Sequence, residues 1–360
     1  MKGFNLGGLH IRVPIIQGGM GVGISLSGLA AAVANEGGIG VISCAGLGLI
    51  YKEKAKDYLQ ANIDGLVSEI RKAREKTKGI IGVNIMGALT NFEDMVRTTI
   101  AEKADIIFAG AGLPMNLPSF LKPDSVTRLV PIVSSGKAAR LLCTKWQSTF
   151  NYLPDAFVVE GPKAGGHLGF KREQLDDQNY SLEEIIPDVV REVRVFEEKY
   201  NKEIPVIAAG GIYNGAGMFD IMSKGAKGVQ LGSRFVTTTE CDASDVFKQQ
   251  YINSEEKDIE IIQSPVGMPG RAFTNGFLDM VRQGLKMPKT CPFHCIKTCD
   301  ISKSPYCIVT ALYNAARGNM KNGYAFAGSN AFRATSIMSV KDVFSEFISD
   351  FKKKAEEVLR

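Results

Sequence analysis

Eight short apolar segments with small residues at their ends recur along the first two thirds of the chain. Amphipathic stretches long enough for a helix lie between most of them, such as residues 54–76 and 182–200. Continuous apolar runs are typical of parallel strands buried on both faces, so eight alternations of strand and helix predict a (β/α)8 barrel. The eight segments are 13–20, 39–43, 79–86, 105–110, 129–135, 156–161, 205–211 and 228–235.

An open doubly wound sheet is the alternative to a barrel. That fold carries a glycine fingerprint after its first strand and an acidic residue about twenty residues later. The glycines of residues 17–23 match this fingerprint only superficially, because a lone glycine cluster is a weak signal. We therefore predict an α/β protein with a (β/α)8 TIM barrel over residues 1–250. A mostly helical C-terminal extension over residues 251–360 would carry a cysteine cluster and return to the barrel mouth.

Composition and charge narrow the function classes. The 360 residues can bury a large core, and the net charge of +5 is small, with Lys and Arg interspersed among Asp and Glu. The sequence has neither a basic run that suits nucleic acid nor an apolar stretch of about 20 residues that suits a membrane. Because the start of the chain also lacks the apolar core of a signal peptide, we expect a cytoplasmic protein with a small-molecule substrate. Whether it forms oligomers stays open.

One of the three histidines follows a glycine turn at the end of an apolar strand. Gly165 and Gly166 lack the side chains that would keep a bound ring away from the backbone, and His167 comes next. Imidazole titrates near neutral pH and can act as a base, an acid or a hydrogen-bond donor. A structural histidine in a glycine turn is the alternative, but the surrounding motifs favour a catalytic role for His167.

The last two predicted strands end in glycine turns that suit a phosphate. Gly210 and Gly211 follow the seventh strand, and Gln230–Leu231–Gly232–Ser233 lies on the eighth. The loops after strands seven and eight of such barrels are the usual phosphate site, where backbone N–H groups point at the anion. Glycines that merely turn tight corners are the alternative, which the pairing of two such turns on adjacent strands disfavours.

Five motifs in this order resemble the nitronate monooxygenase (2-nitropropane dioxygenase) family, flavin barrels that include the FabK-type enoyl-acyl-carrier-protein reductases. The resemblance spans about residues 10–240 and recurs near the C-terminus, where residues 323–330 look like the family's late glycine segment. The motifs are Pro-Ile-Ile-Gln-Gly-Gly-Met at 14–20, Gly-Val-Asn at 82–84, Glu-Gly-Pro-Lys-Ala-Gly-Gly-His at 160–167, Ala-Ala-Gly-Gly at 208–211 and Gln-Leu-Gly-Ser-Arg-Phe at 230–235.

The resemblance implies FMN as the cofactor. By this carry-over, residues 19–20 line the flavin ring, Asn84 hydrogen-bonds it, and Glu160 and Gly165 flank it. Lys137 could stabilise negative charge on the reduced flavin, or could be a solvent-exposed lysine in the first turn of a helix. With His167 as the candidate catalytic residue, the candidate cofactor-binding residues are Gly19, Met20, Asn84, Lys137, Glu160, Gly165, Gly166, Gly210, Gly211, Gln230, Leu231, Gly232, Ser233 and Gly328.

Two reactions fit the resemblance. A nitronate monooxygenase oxidises alkyl nitronates with dioxygen, and an enoyl reductase uses NAD(P)H to reduce an alkene; both reactions run on the flavin, so the motifs alone do not separate them. Glu160 stands where many monooxygenase members carry Gln, and Pro162–Lys163 replaces a common acidic residue. We take nitronate oxidation as the first expectation and enoyl reduction as its alternative.

Two further function classes stay open. A barrel of the same architecture could act on a phosphorylated substrate without flavin, as IMP dehydrogenase-like enzymes do with a mobile catalytic cysteine loop. Cys143 and Cys241 do not lie in such glycine-rich loops. The other class is a noncatalytic module that binds a flavin or a cluster.

The C-terminal extension holds four of the seven cysteines in a C-x3-C-x3-C-x7-C pattern. Such density in a protein expected in the cytosol argues against disulfides and for metal or iron–sulfur ligation. A [4Fe–4S] cluster and a zinc ion are both candidates, although the spacing matches neither the ferredoxin run nor a two-knuckle zinc site well. Reduced thiols without a metal are the third possibility. The four candidate ligands are Cys291, Cys295, Cys299 and Cys307.

Overall fold

A computed structural model describes residues 1–52 and 57–359 of the protein and shows a closed parallel barrel of eight strands. The strands are β1 Phe4–Leu6, β2 Leu9–Ile11, β3 Ile15–Gln17, β4 Ile39–Ser43, β5 Ile80–Met86, β6 Ile106–Gly110, β7 Arg128–Val133, β8 Phe157–Glu160, β9 Gly166–His167, β10 Val206–Ala209, β11 Gly228–Leu231, β12 Ile259–Gln263 and β13 Pro269–Phe273. The helices are α1 Ser27–Asn35, α2 Leu47–Ile50, α3 Tyr58–Lys76, α4 Phe92–Ala101, α5 Gly136–Phe150, α6 Leu182–Tyr200, α7 Gly215–Ser223, α8 Ser233–Val236, α9 Asp245–Ile252, α10 Gly276–Arg282, α11 Ile308–Ala316 and α12 Val340–Leu359.

Each of the eight apolar segments of the sequence matches one barrel strand, and β7 begins one residue before its segment, at Arg128. The order around the barrel is β3-β4-β5-β6-β7-β8-β10-β11, and β11 closes on β3 with Gln230 beside Ile16. The predicted TIM barrel is therefore confirmed. Of the predicted helix at 54–76, residues 54–56 lie outside the described residues, and the rest is helical as α3 from Tyr58 onward.

The N-terminal hairpin closes the barrel at the end where the strands begin. β1 pairs with β2 in antiparallel fashion, and Phe4, Leu6 and Ile11 are buried in one apolar cluster with residues of the barrel interior. Those interior residues include Ile16 and Val158. Because this cluster fills the barrel at the N-terminal ends of the strands, a ligand enters at the opposite end, where the strands finish.

The C-terminal extension contains helices α10, α11 and α12 but is less helical than predicted, and it also contains a β-hairpin that the sequence pattern did not indicate. β12 pairs with β13, and β13 pairs with β9 from the barrel loop. Pro269 and Gly270 at the start of β13 are typical of turns, which is why no strand was predicted there. The predicted boundary at residue 250 falls inside α9.

Helix α12 ties the end of the chain to the barrel. It packs along α7 and also contacts α1, with Phe344 and Phe347 buried in the interface. Within the described residues, no helix is long and apolar enough to cross a membrane.

Candidate active site

A cavity of about 280 Å³ opens where the barrel strands end. It brings together residues that lie far apart in the sequence, from the loop after β3 to the segment before α12. Every residue of the predicted site except Lys137 lines it: Gly19, Met20, Asn84, Glu160, Gly165, Gly166, His167, Gly210, Gly211, Gln230, Leu231, Gly232, Ser233 and Gly328.

Lys137 does not line the cavity, unlike the other predicted site residues. It is exposed in the first turn of α5. The Ser-Ser-Gly-Lys motif has a structural explanation: the Ser135 side chain caps α5 by accepting a hydrogen bond from the backbone N–H of Ala138. The solvent-exposed alternative for Lys137 is the one that the structure supports.

The loop after β3 is held by a buried polar network. Gln17 accepts a hydrogen bond from the backbone N–H of Val41 and donates to the Ser25 hydroxyl at 2.9 Å. The Ser25 hydroxyl also accepts from the backbone N–H of Met20. Gln17 and Ser25 are fully buried, and a satisfied buried network of this kind fixes one loop geometry.

Gly19 lets that loop run directly over β5. A Cβ atom at Gly19 would stand 2.3 Å from the Cβ of Asn84, so any side chain would push the loop or Asn84 out of place. Asn84 lies near the end of β5 and lines the cavity. The Gly-Val-Asn and Gln-Gly-Gly-Met motifs therefore meet in space as one wall of the cavity.

His167 is placed by three contacts from the C-terminal extension. β9, which contains His167, pairs with β13, and the imidazole Nε2 lies 2.7 Å from the hydroxyl of Ser264. The ring meets Phe326 edge to face, with 5.0 Å between ring centroids. Burial lowers the pKa of His167 to about 4, so the imidazole is neutral at physiological pH.

Arg271 holds the loop between β8 and β9. Its guanidinium donates hydrogen bonds to the backbone carbonyls of Pro162 at 2.7 Å and of Ala164 at 3.1 Å. The residue is only 8% exposed, and removing a buried donor of this kind would leave two carbonyls without their partner. Arg271 therefore positions the loop that carries His167.

Glu160 ends β8 and points its carboxyl group at the cavity. Burial raises its pKa from 4.5 to about 7, because the low-polarity surroundings disfavour the ionised form. Burial thus moves the pKa values of Glu160 and His167 in opposite directions and favours the uncharged form of each. A carboxylic acid and a neutral imidazole can both exchange a proton or a hydrogen bond with a ligand near pH 7.

The two predicted phosphate turns lie side by side. Gly210 and Gly211 both have positive φ angles, of 97° and 85°, which other residues rarely adopt. Asn330 donates to the carbonyl of Gly211 at 2.5 Å, and the N–H of Gly328 donates to the Ser233 hydroxyl at 2.9 Å. The late glycine segment therefore reaches both turns.

A family model matches most of the chain. Residues 4–99 and 87–350 match the family model described as nitronate monooxygenase. The chain belongs to the nitronate monooxygenase family. The family and the relatives below are those of an oxidoreductase.

The relatives carry several activities in their names. FabK from Thermotoga maritima is 28% identical, with a TM-score of 0.73 over 97% of this chain and 95% of that chain. A probable nitronate monooxygenase from Staphylococcus haemolyticus is 26% identical over 310 residues, which cover 76% of this chain and 79% of that protein. A (3aS,4S,5R,7aS)-5-hydroxy-7a-methyl-1-oxo-octahydro-1H-indene-4-carboxyl-CoA dehydrogenase from Mycobacterium tuberculosis is 27% identical over 276 residues, or 77% and 67% of the two chains.

Two features of the cavity suit FMN: space where a flavin ring would lie, and a buried hydroxyl where its phosphate would lie. A Cβ atom at Gly166 would meet nothing within 4 Å, which leaves open space for a ring beside His167. At the other end, the Ser329 hydroxyl is buried and has no hydrogen-bond partner within the described residues. A buried hydroxyl without a partner is costly, and a phosphate oxygen at the neighbouring glycine turns would satisfy it.

The four cysteines of the extension lie at a second cavity, of about 240 Å³, and all four line it. Among residues 1–52 and 57–359, no group of three or more His, Cys, Asp or Glu side chains is arranged to hold a single metal ion. Burial and the neighbouring Cys307, Cys291 and Cys299 thiols raise the pKa of Cys295 to about 12. The structure thus brings the four thiols together but does not converge them on one point.

Sequence reasoning missed the residues that support the site rather than line its glycine turns. Arg271 and Ser264 come from the unpredicted hairpin region, and no motif marked them. Gln17 stood inside a quoted motif, and a polar residue in the apolar run Val-Pro-Ile-Ile-Gln was a usable signal for a buried hydrogen bond. Ser329 and Asn330 lay in the late glycine segment but were not assigned roles.

Proposed function

We propose that the protein is an FMN-dependent oxidoreductase of the nitronate monooxygenase type that oxidises alkyl nitronates. One observation carries this proposal: a neutral histidine and two adjacent glycine turns line a single cavity at the barrel mouth, together with a buried hydroxyl that has no hydrogen-bond partner in the described part of the chain. Membership of the nitronate monooxygenase family and the Staphylococcus relative support the same activity.

Binding of FMN would use the two ends of the cavity differently. Gly211, Ser233 and Ser329 would hold the phosphate, and the loop of Gly19 and Met20 would face the flavin ring across from Gly165. When bound, FMN supplies redox chemistry that amino-acid side chains lack. The protein's share of the work is to bind, to orient and to manage protons.

His167 would act on the substrate side of that ring. Its neutral imidazole can accept a proton from the substrate or donate a hydrogen bond to it, and Ser264 and Phe326 fix the ring orientation. An alkyl nitronate is an anion, so a neutral histidine and a protonated Glu160 can hydrogen-bond its oxygens without the repulsion that a carboxylate would add.

The direct test has two parts. Acid extraction of the purified protein followed by chromatography should release FMN, and the protein should convert propane-2-nitronate to nitrite with uptake of dioxygen. Release of FAD, or of no flavin after incubation with FMN, would reject the cofactor. Nitrite formation that is no faster than in a flavin-only control would reject nitronate oxidation while leaving FMN binding intact.

Enoyl reduction is the second candidate, and specific observations favour it. Glu160 replaces the glutamine that is common among monooxygenase members, and FabK from Thermotoga maritima is similar over 97% of this chain. A relative that acts on a coenzyme A thioester adds a thioester precedent. Anaerobic incubation with NADH or NADPH and crotonyl-CoA separates the two candidates, because only a reductase consumes the alkene and the nicotinamide in equal amounts.

A further inference from the structure

The second cavity is walled by all four cysteines of the C-x3-C-x3-C-x7-C segment. Cys291, Cys295, Cys299 and Cys307 are each half-buried and line this cavity. The described structure contains no disulfide among the seven cysteines, all of which lie in its described ranges. Nothing in the proposed flavin chemistry uses this cavity.

The loop that carries these cysteines is fixed to the barrel by backbone hydrogen bonds. The N–H of Thr90 donates to the carbonyl of Cys295 at 3.2 Å, and its hydroxyl donates to the carbonyl of His294 at 2.6 Å. The N–H of Lys297 donates to the carbonyl of Ala88 at 2.9 Å. The thiols are therefore placed by main-chain contacts that do not require a disulfide or a bound ion.

The surroundings of the thiols suit a sulfur-rich metal group. Ile296, Ile301 and Ile308 give the cavity apolar walls. The Cys307 sulfur lies 3.2 Å from the Thr310 hydroxyl, and hydrogen bonds to ligand sulfurs are one way in which proteins tune iron–sulfur groups. Soft thiolate ligands select iron–sulfur clusters, zinc or copper(I) over hard cations.

A single ion and a cluster need different arrangements of the thiols. Four ligands of one zinc ion converge within about 2.3 Å of a common point, whereas no three metal-binding side chains of the described residues are arranged around one ion. A cubane cluster needs one thiolate at each of four iron corners and a cavity between the thiols. All four cysteines line one cavity of about 240 Å³, which leaves space for a group held between the thiols.

We propose that Cys291, Cys295, Cys299 and Cys307 bind a [4Fe–4S] cluster. The cluster would lie close to the active site, because Val22 lines the active-site cavity and also belongs to the apolar cluster against which Cys295 and Cys307 pack. Helix α11 makes a second connection: it begins after Cys307 and presents Leu312 to the active-site cavity. The proposal stands on these residues alone and does not depend on which substrate the flavin site takes.

The test is metal and sulfide analysis of the full-length protein after purification without oxygen. The native protein, incubated with ferrous iron and sulfide and then desalted, should hold about four irons and about four acid-labile sulfides per chain. Cys295→Ser should lose most of that iron, and Cys143→Ala should keep it, because Cys143 is a buried cysteine of α5. Flavin content, measured on the same samples, reports separately whether each variant is folded at the barrel mouth.

Three results would overturn the proposal. One zinc per chain in native protein would assign a mononuclear site, and seven titratable thiols without metal would assign ordinary reduced cysteines. Equal iron in Cys295→Ser and in native protein would place the iron elsewhere. If Cys295→Ser does not fold, Cys291→Ala provides the ligand test, and the metal content of the native chain still decides between cluster, zinc and no metal.

Discussion

The active-site cavity and the cysteine cavity are similar in size but are built in opposite ways. The first, of about 280 Å³, collects the ends of regular strands and uses glycine turns that expose backbone. The second, of about 240 Å³, is walled mainly by a segment with little regular structure before α11 and uses side-chain sulfurs. A site built from backbone turns forms only when many strands of the barrel are in place. A site built from side chains depends on the conformation of one loop and on which residues it carries.

This difference predicts that the two cavities can be disabled separately. The largest effect on cofactor binding is expected for Gly165→Ala, because a Cβ atom there would stand 2.6 Å from the backbone of Ala327 and Gly328, which cannot move as a flexible side chain would. We expect FMN affinity to fall by about 10- to 100-fold, since forcing an extra carbon into a packed contact costs about 1–3 kcal/mol. Equilibrium binding of FMN to flavin-free protein measures it, and iron content should be unchanged.

The matched control for that substitution is Gly276→Ala. A Cβ atom at Gly276 meets nothing within 4 Å, and the residue begins α10 outside the active-site cavity. Full FMN affinity in Gly165→Ala would mean that the flavin does not contact this turn. A parallel loss of iron and flavin would mean that the two cavities are not independent.

The same difference explains how far the sequence predicts the structure. The eight barrel strands were predictable because continuous apolar runs and glycine ends recur in a regular order, and the cavity residues follow from where strands end. The hairpin of β12 and β13 was not, because Pro269 and Gly270 are typical of turns and a three-stranded sheet with β9 forms only through tertiary pairing. For the same reason, the sequence did not predict the two contacts that this region makes: Ser264 with His167, and Arg271 with the loop between β8 and β9.

The cysteine cavity shows the converse limit. Residue type alone indicated a shared thiol site, and the structure brings the four cysteines to one cavity. Nothing in the sequence indicated that Thr90 of the barrel would anchor this segment, because that contact joins residues more than two hundred positions apart. Lys137 shows a different limit: its position after a strand suggested a cofactor contact, whereas the structure places it exposed in the first turn of α5, outside the cavity lining.

The second prediction concerns chemistry without loss of binding. His167→Ala should keep FMN bound and lower turnover by about 10²- to 10⁴-fold, the usual range for a lost general acid or base. His167 faces the open space at Gly166, whereas the phosphate turns lie on β10 and β11. Steady-state kinetics with the proposed nitronate substrate measures the change, and flavin absorbance checks occupancy.

His10→Ala is the control for the histidine substitution, because His10 is exposed in the N-terminal hairpin at the closed end of the barrel. Its kinetic constants should match those of native protein. Native turnover in His167→Ala would remove the residue from the mechanism, and loss of flavin from this variant would make it a binding residue instead.

A smaller, pH-dependent effect is expected at Glu160. Its pKa is raised to about 7, so the folded protein holds this proton more tightly than the unfolded chain, and the residue's contribution to stability is lost as the pH rises toward 7. His167 has the opposite sign: its pKa is lowered to about 4, so its contribution is lost as the pH falls from about 6.5 to 4. Burial of the two groups therefore lowers the stability of the flavin-free protein at both low and high pH.

Glu160→Gln isolates the carboxyl group. The melting temperature of flavin-free Glu160→Gln, relative to native protein, should rise with pH between 5 and 8, by a few degrees in total. In the loaded enzyme, ionisation above pH 7 places a negative charge near an anionic nitronate, so native kcat/KM should fall by about fivefold or more toward pH 9, and the variant should not show this fall. Identical pH profiles for both proteins would show that Glu160 does not titrate in the cavity.

The smallest effect is expected for Lys137→Ala, and it tests whether the cavity boundary is placed correctly. Lys137 is exposed on α5 and does not line the cavity, so its loss should change FMN affinity and kcat by less than about twofold, as for most surface substitutions. Lys163→Ala is the matched comparison, because Lys163 lines the cavity and its side-chain carbons lie against Gly211. FMN titrations of both variants at low and high salt should show weakened, salt-sensitive binding only for Lys163→Ala. Weakened binding in Lys137→Ala would mean that α5 moves toward the flavin when it binds, and would return Lys137 to the site.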